Sequence, residues 1–242
     1  MQIKILTYNI HKGRKGHSRR LILEELKAAI DRTGADIVCL QEVQGQHRDI
    51  AEPHLERLAD RIWSHYAYAQ NAVTQRGHHG NAILSRFPIT AHTNTNIAWM
   101  KGASRSILEA RIEVPEAGRA IHVMCIHMGL FGIERQAQIG TLEQRIGALD
   151  PATGLVIAGD FNDWTEAGHQ VLMKRGDVAE ISQSLNGRLP LTFPARLPLL
   201  AMDRIYVRHL RPVSVEAPAT PSWRSLSDHL PLLAVVEIPD QR

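Results

Sequence analysis

Two segments of this chain carry the same order of signals at the same spacing, and that repetition limits the fold more than any other feature. Gln2 to His11 alternates apolar and polar residues as a half-buried strand does. A helix is expected next, with Ser18 as its cap, Ile22, Leu26, Ala29 and Ile30 at helical spacing, and Gly34 as its end. Asp36 to Gln41 then reads as a buried strand that delivers Glu42. The second segment runs from a strand over Arg119 to Ile126 into a helix carrying Ile139, Leu142, Ile146 and Leu149. After a Pro151/Gly154 break, a strand from Leu155 to Ala158 leads to Asp160. Asn9 precedes Glu42 by 33 positions, and His127 precedes Asp160 by 33. Two strand–helix–strand units that end their strands on polar groups predict two related halves facing one site.

Further strands are expected over Asn81 to Leu84, Ser104 to Val114, Arg204 to Val207 and Leu232 to Ile238. Turn signals separate them, at Gly77-His-His-Gly80, Phe87-Pro88, Pro115-Glu-Ala-Gly118 and Pro190 to Pro198. None of these breaks is a long linker, so residues 1–242 are expected to form a single strand-rich α/β domain. With 44% apolar and 22% charged residues, the chain has ordinary globular material for a core. Cys39 and Cys125 each lie in an apolar run, where a buried free thiol is expected rather than a disulfide. The first residues enter a strand pattern without a signal-like stretch, and no apolar run has membrane-spanning length. A cytoplasmic location is the resulting expectation.

A carboxylate at the end of a buried strand is costly unless paired or bound to a metal. Glu42 and Asp160 both meet that description, and the alternative for each is a helix cap or turn. Asp160 and Asn162 are two apart, so on extended backbone both side chains point to one side. There the carboxylate can take a proton from water while the amide donates to a phosphoryl oxygen. Asp228-His229 places a metal-binding oxygen beside an imidazole. Lys12, Arg14, Lys15, Arg19 and Arg20, with His17 among them, form a basic stretch that reads either as a solvated loop or as a phosphate-attracting rim.

Read in order, the motifs are Thr7-Tyr-Asn-Ile-His11, Leu40-Gln-Glu42, Gly80-Asn-Ala-Ile-Leu-Ser-Arg-Phe-Pro-Ile89, His127, Gly159-Asp-Phe-Asn162, Thr192-Phe-Pro194, Asp203-Arg-Ile-Tyr-Val207 and Ser227-Asp-His-Leu-Pro231. The series resembles the endonuclease/exonuclease/phosphatase superfamily, the DNase I-like proteins, over nearly the whole chain, and its His-His-Gly-Asn-Ala and Gly-Asp-Phe-Asn-Asp-Trp wording resembles the YbhP-like bacterial branch. The resemblance implies a four-layer α/β/β/α sandwich of two mixed β-sheets covered by helices. It also implies that Glu42, with Asn9 and Asp228 nearby, holds Mg²⁺ or Mn²⁺, cations suited to hard oxygen ligands. His229 would contact the scissile phosphate, with Asp203 fixing its tautomer. His127 would lie on the other side of the phosphate, Asp160 would orient or deprotonate water, and Asn162 would complete the pocket.

Departures narrow the reading. His11 stands where the AP-endonuclease pattern has Asp, and Ala201-Met202 and Asp163-Trp164 replace features of the inositol phosphatase pattern. His78 and His79 read as substrate contacts, as groups orienting His127, or as a polar turn. Asn81, Arg135 and Trp164 join His11 as expected substrate-side residues; Trp99 and Trp164 shape a wall or simply pack, and Arg135 meets phosphate or is merely exposed. The expected function is hydrolysis of a phosphoester, favouring a phospholipid headgroup or small molecule, with peripheral membrane contact. A nuclease and a silent phosphate-binding module are the alternatives. A single basic segment and 5% aromatic residues weigh against a long nucleic-acid groove.

Overall fold

A computed structural model of the chain describes residues 1–14, 22–47, 54–75, 77–99, 105–175 and 177–239. One six-stranded sheet contains β1 (Gln2–Asn9), β2 (Ile37–His47), β3 (His65–Thr74), β4 (Gly77–Ser85), β11 (Arg211–Glu216) and β12 (Leu232–Glu237). The other contains β5 (Ile89–Asn96), β6 (Ser106–Val114), β7 (Arg119–His127), β8 (Gly154–Asp160), β9 (Ala179–Glu180) and β10 (Asp203–Arg208). Their orders are β11-β12-β1-β2-β4-β3 and β5-β6-β7-β8-β10-β9. In each, the two central strands are parallel, β1 with β2 and β7 with β8, and every other pairing is antiparallel. The two sheets therefore share one topology. The first is completed by a hairpin drawn from the end of the chain.

Side-chain alternation builds the layers. Ile3 and Ile5 of β1, Ile37 and Cys39 of β2, Val123 and Cys125 of β7, and Val156 and Ala158 of β8 fill the space between the sheets. The intervening residues face outward. Tyr8, Val38 and Leu40 pack under Leu26 and Ile30 of α1 (Leu23–Arg32) and Leu58 of α2 (His54–Ala59). Met124, Ile126 and Ile157 pack under Ile139, Leu142 and Ile146 of α3 (Gly132–Gly147) and Leu172 of α4 (Ala167–Arg175). Central strands covered on both faces must be apolar nearly throughout, which is why they read as continuous hydrophobic runs. Short helices α5 (Ile181–Asn186) and α6 (Trp223–Leu226) finish the covering layers. Both cysteines are free and buried. Among the described residues, no helix is long and apolar enough to cross a membrane.

Several local expectations change. Gly77 to Gly80 is the start of β4 rather than a turn, because its residues pair on one side with β2 and on the other with β3. β3, β5, β9 and β11 lie outside the expected strand set, β2 runs past Glu42 to His47 instead of ending there, and Ser18 and the basic residues from Lys15 to Arg20 fall outside the described residues.

Candidate active site

The parallel pairs open on one end of the sandwich. Asn9 closes β1, His127 and Asp160 face each other in register at the ends of β7 and β8, and Asp203 opens β10 directly opposite Asp160. Gly159 permits this convergence. Its φ is +157°, and a Cβ there would sit 2.0 Å from the Ile126 carbonyl oxygen of β7. In the first sheet, the β2–β4 register shifts between Leu40 and Val43, and Glu42 within that bulge has φ +58°. A left-handed backbone at a non-glycine residue costs about 1–3 kcal/mol and persists where surrounding structure enforces it. Asp228 and His229 arrive on the loop before β12, which is tied to β1 by a 2.7 Å hydrogen bond from Ser227 Oγ to the Asn9 carbonyl oxygen.

The deep half of the site is a linked set of buried side chains. His229 Nδ1 donates to Asp203 Oδ2 at 2.8 Å, and its Nε2 lies 3.7 Å from Asp160 Oδ2. Burial opposes charge on His229, but the Asp203 and Asp160 carboxylates outweigh it and push its pKa up to about 10. Asp160 is pushed up to about 6 by burial, against the pull of the His229 charge. Asn9 Nδ2 donates to Asp160 Oδ2 at 3.0 Å, and the Asn162 backbone N–H donates to Oδ1 at 3.0 Å. His127 Nε2 is 3.5 Å from Asp160 Oδ2 and its Nδ1 is 3.4 Å from an Arg105 nitrogen. Burial, Arg105 and His229 hold His127 well below the usual histidine range. An arginine N–H can only donate, so Nδ1 accepts and the proton of neutral His127 is on Nε2, facing Asp160.

The open half carries Glu42 and Asp228. Lys12 Nζ lies 3.9 Å from Glu42, and His11 Nδ1 lies 3.2 Å from Asp228. That hydrogen bond to Asp228 raises the His11 pKa. Among the described residues, Asp160, Asp203 and His229 offer possible metal-ligand atoms that all lie within 4.8 Å of one another. There the protonated imidazole already supplies the cation between two carboxylates, so a metal ion would have to displace its proton. Glu42 and Asp228 offer partly exposed hard oxygens, and both act on His11 electrostatically. The buried Asp203 Oδ1 has no hydrogen-bond partner among the described residues. This acid-rich donor set fits a hard divalent cation better than Zn²⁺.

Other expected substrate-side residues are committed elsewhere. His78 packs on Gly45, with Nδ1 3.0 Å from Tyr68 Oη and Nε2 accepting from the Gln46 N–H, so neither ring nitrogen is free for substrate. Asn81 is fully buried and its amide bridges the Ser106 and Cys125 carbonyls, tying β4 to the second sheet. Arg135 is buried instead of exposed; it donates to the Leu130 carbonyl at 2.5 Å and stacks on Trp164 at 4.4 Å. That stack leaves Trp164 as part of the rim. Asn162 donates its side-chain amide to the Met128 carbonyl at 2.9 Å, which anchors the loop after β7. His79 remains near the site, its pKa lowered to about 4 by burial and by Lys12. Arg105 and Phe193 were not foreseen as site residues. The Arg105 signal is cross-strand, since Ser106 pairs with His127, and the Phe193 ring lies 4.9 Å from that of His229.

Residues 6–229 match the endonuclease/exonuclease/phosphatase family model, and the chain belongs to that family. It is 43% identical over 245 residues to the uncharacterized protein YbhP of Escherichia coli K12, covering 97% of this chain and 96% of the relative. The structure of an endonuclease/exonuclease/phosphatase from Bacteroides vulgatus superposes with a TM-score of 0.80 at 18% identity, covering 99% of this chain and all of that one. That of D. rerio TDP2 complexed with single-strand DNA product gives 0.75 at 16% identity, covering 98% and 99%. The four-layer sandwich is thus the fold of these neighbours. The family comprises phosphoester hydrolases.

Proposed function

We propose that this chain is a divalent-metal-dependent phosphoesterase that uses water directly, with a phospholipid headgroup or another small phosphoester as substrate. The observation that carries the reading is the convergence of Asp160, Asp203, His127 and His229 within hydrogen-bonding or ion-pair distance, beside Glu42 and Asp228. Asp160, ionised above about pH 6, accepts the proton of an attacking water. His229 is an imidazolium across the neutral range and donates from Nε2 to a phosphoryl oxygen; neutral His127 donates from the opposite side. Their 3.5 and 3.7 Å separations from Asp160 are longer than hydrogen bonds, so both N–H groups can turn to a substrate. Arg105 adds positive charge behind His127. Asn9 and the Asn162 backbone hold Asp160 in place. A divalent cation held by Glu42 and Asp228 would supply charge stabilisation to the phosphoryl group. No covalent nucleophile is needed.

A nuclease is the second reading, favoured by Lys12 and Arg105 at the site. Several phosphate contacts would make DNA binding fall steeply with salt, about −0.9 in log K per contact on duplex DNA.

Glu42→Gln keeps the shape of the side chain and removes its charge. Mg²⁺ and Mn²⁺ affinity measured by calorimetry should fall at least tenfold, on the order of the loss seen when a ligand or its support is removed. Unchanged affinity would remove Glu42 from the metal site.

A further inference from the structure

Fourteen large apolar side chains are exposed among the described residues; seven belong to four loops at the active-site end and an eighth, Ile133, to the first turn of α3, so apolar exposure is concentrated there. Phe131 and Ile133 follow β7, which ends at His127, and are 65% and 71% exposed. Trp164 follows β8, which ends at Asp160. Leu197 and Leu199, 65% and 62% exposed, precede β10, which begins at Asp203. Trp99 lies between β5 and β6, whose Ser106 pairs with His127. Each loop thus leaves a strand end that carries or adjoins a reacting group. The loops are also held in place: Gln138 of α3 bonds the Ile97 carbonyl and the Gly129 N–H, Arg135 stacks on Trp164, and the Leu199 N–H bonds the Phe193 carbonyl.

Charge on this rim has one dominant sign. Arg188 and Arg196 are exposed on the loop that carries Leu197 and Leu199. Among the described residues, Glu166 is the one exposed carboxylate on these four loops. Apolar groups spread over separate loops and interleaved with cations suit a surface that gives way to each side chain and carries negative headgroups. Large apolar side chains exposed together at one end of a fold, rimmed by polar residues, mark an interaction site.

We propose that this rim docks the protein on an anionic lipid bilayer, Phe131, Ile133, Leu197, Leu199 and the two tryptophans entering the headgroup region, so that the site receives phosphoesters presented by the membrane. The assignment of substrate rests on the phosphoesterase reading; the docking surface itself does not.

Tryptophan fluorescence reads the contact directly, because Trp99 and Trp164 are on the rim whereas Trp63 and Trp223 are buried. Adding vesicles of phosphatidylethanolamine and phosphatidylglycerol should shift emission to the blue, and phosphatidylcholine vesicles should do so far less. The triple variant Phe131→Ser/Leu197→Ser/Leu199→Ser should bind the anionic vesicles about tenfold more weakly or worse. Its turnover of vesicle phospholipid should fall in proportion, while hydrolysis of a soluble bis-aryl phosphate stays at the wild-type rate. Equal vesicle binding by wild type and variant would overturn the proposal. So would equal affinity for the two vesicle types, a wild-type dimer by light scattering that the variant abolishes, or a variant that loses DNA binding and keeps vesicle binding. If the wild type binds anionic vesicles through these residues yet hydrolyses neither substrate, the docking surface stands and the phosphoesterase reading fails.

Discussion

Replacing His229 by alanine is expected to lower kcat by about 10²–10³-fold, the usual cost of removing one preorganised donor to a developing oxyanion. Asp203→Asn should produce much of the same loss, because Asp203 accepts the Nδ1 proton at 2.8 Å and is the leading source of the charge on His229. The two side chains act as one unit, so the double variant should be little slower than His229→Ala alone. Losses that multiply fully would contradict the coupling. The pH profile gives an independent reading. Activity should rise through about pH 6 as Asp160 ionises and fall as pH approaches about 10, where His229 loses its proton. Asp203→Asn removes a charge that holds the proton on His229, so the alkaline limb should move to lower pH.

Arg204→Met is expected to destabilise the protein by about 3–5 kcal/mol, the range for breaking a buried ion pair from one side. Arg204 is fully buried; its guanidinium donates to Asp163 Oδ2 at 3.0 Å and to the Asp163 carbonyl at 2.6 Å. Burial works against the Asp163 charge, and Arg204 with the His169 N–H keeps the carboxyl below its ordinary value. Without Arg204, that buried carboxylate keeps the His169 N–H in α4 and the more distant Arg135, whose Nε is 3.8 Å from Oδ1, but loses the guanidinium hydrogen-bonded to Oδ2 at 3.0 Å. Adding Asp163→Asn removes a charge that Arg135 alone compensates at 3.8 Å, so the double variant should recover part of the loss in urea denaturation. The sign of the pH dependence follows from the depressed pKa. The contribution of Asp163 is present above about pH 4, its unfolded value, and is lost as pH falls through the lower folded value. A single variant as stable as wild type would show that the pair contributes little.

The two strand–helix–strand units were legible because their strands are covered on both faces. A doubly covered strand must be apolar, and where the run stops at Asn9, His127 or Asp160 the polar residue marks the sheet end; Glu42 marks a bulge instead, since β2 pairs with β4 again from Val43 to His47. The matching topology of the whole sheets was not legible, since β11 and β12 complete the first sheet from the far end of the chain. β5 is exposed along nearly its whole length, so it carries no buried alternation, and β11 is an edge strand interrupted by a register shift at Pro212. β3 alternates, but its inward residues include Ala67 and Ala69, small side chains that leave a weak signal. Side-chain commitments were the least readable layer. Whether His78 faces substrate depends on Gly45 in a neighbouring strand, and whether Arg135 is exposed depends on carbonyls of the loop before its helix and on Trp164.

The central claim is hydrolysis of a phosphoester at this site with a divalent cation bound. Turnover of a bis-aryl phosphate by wild type and Glu42→Gln, after chelation and on return of Mg²⁺ or Mn²⁺, tests it most directly. The account predicts turnover by the wild type that is lost on chelation, restored by the metal, and reduced at least about 10²-fold in Glu42→Gln at the same metal concentration. Turnover that survives chelation, or a Glu42→Gln variant as active as wild type, would contradict it.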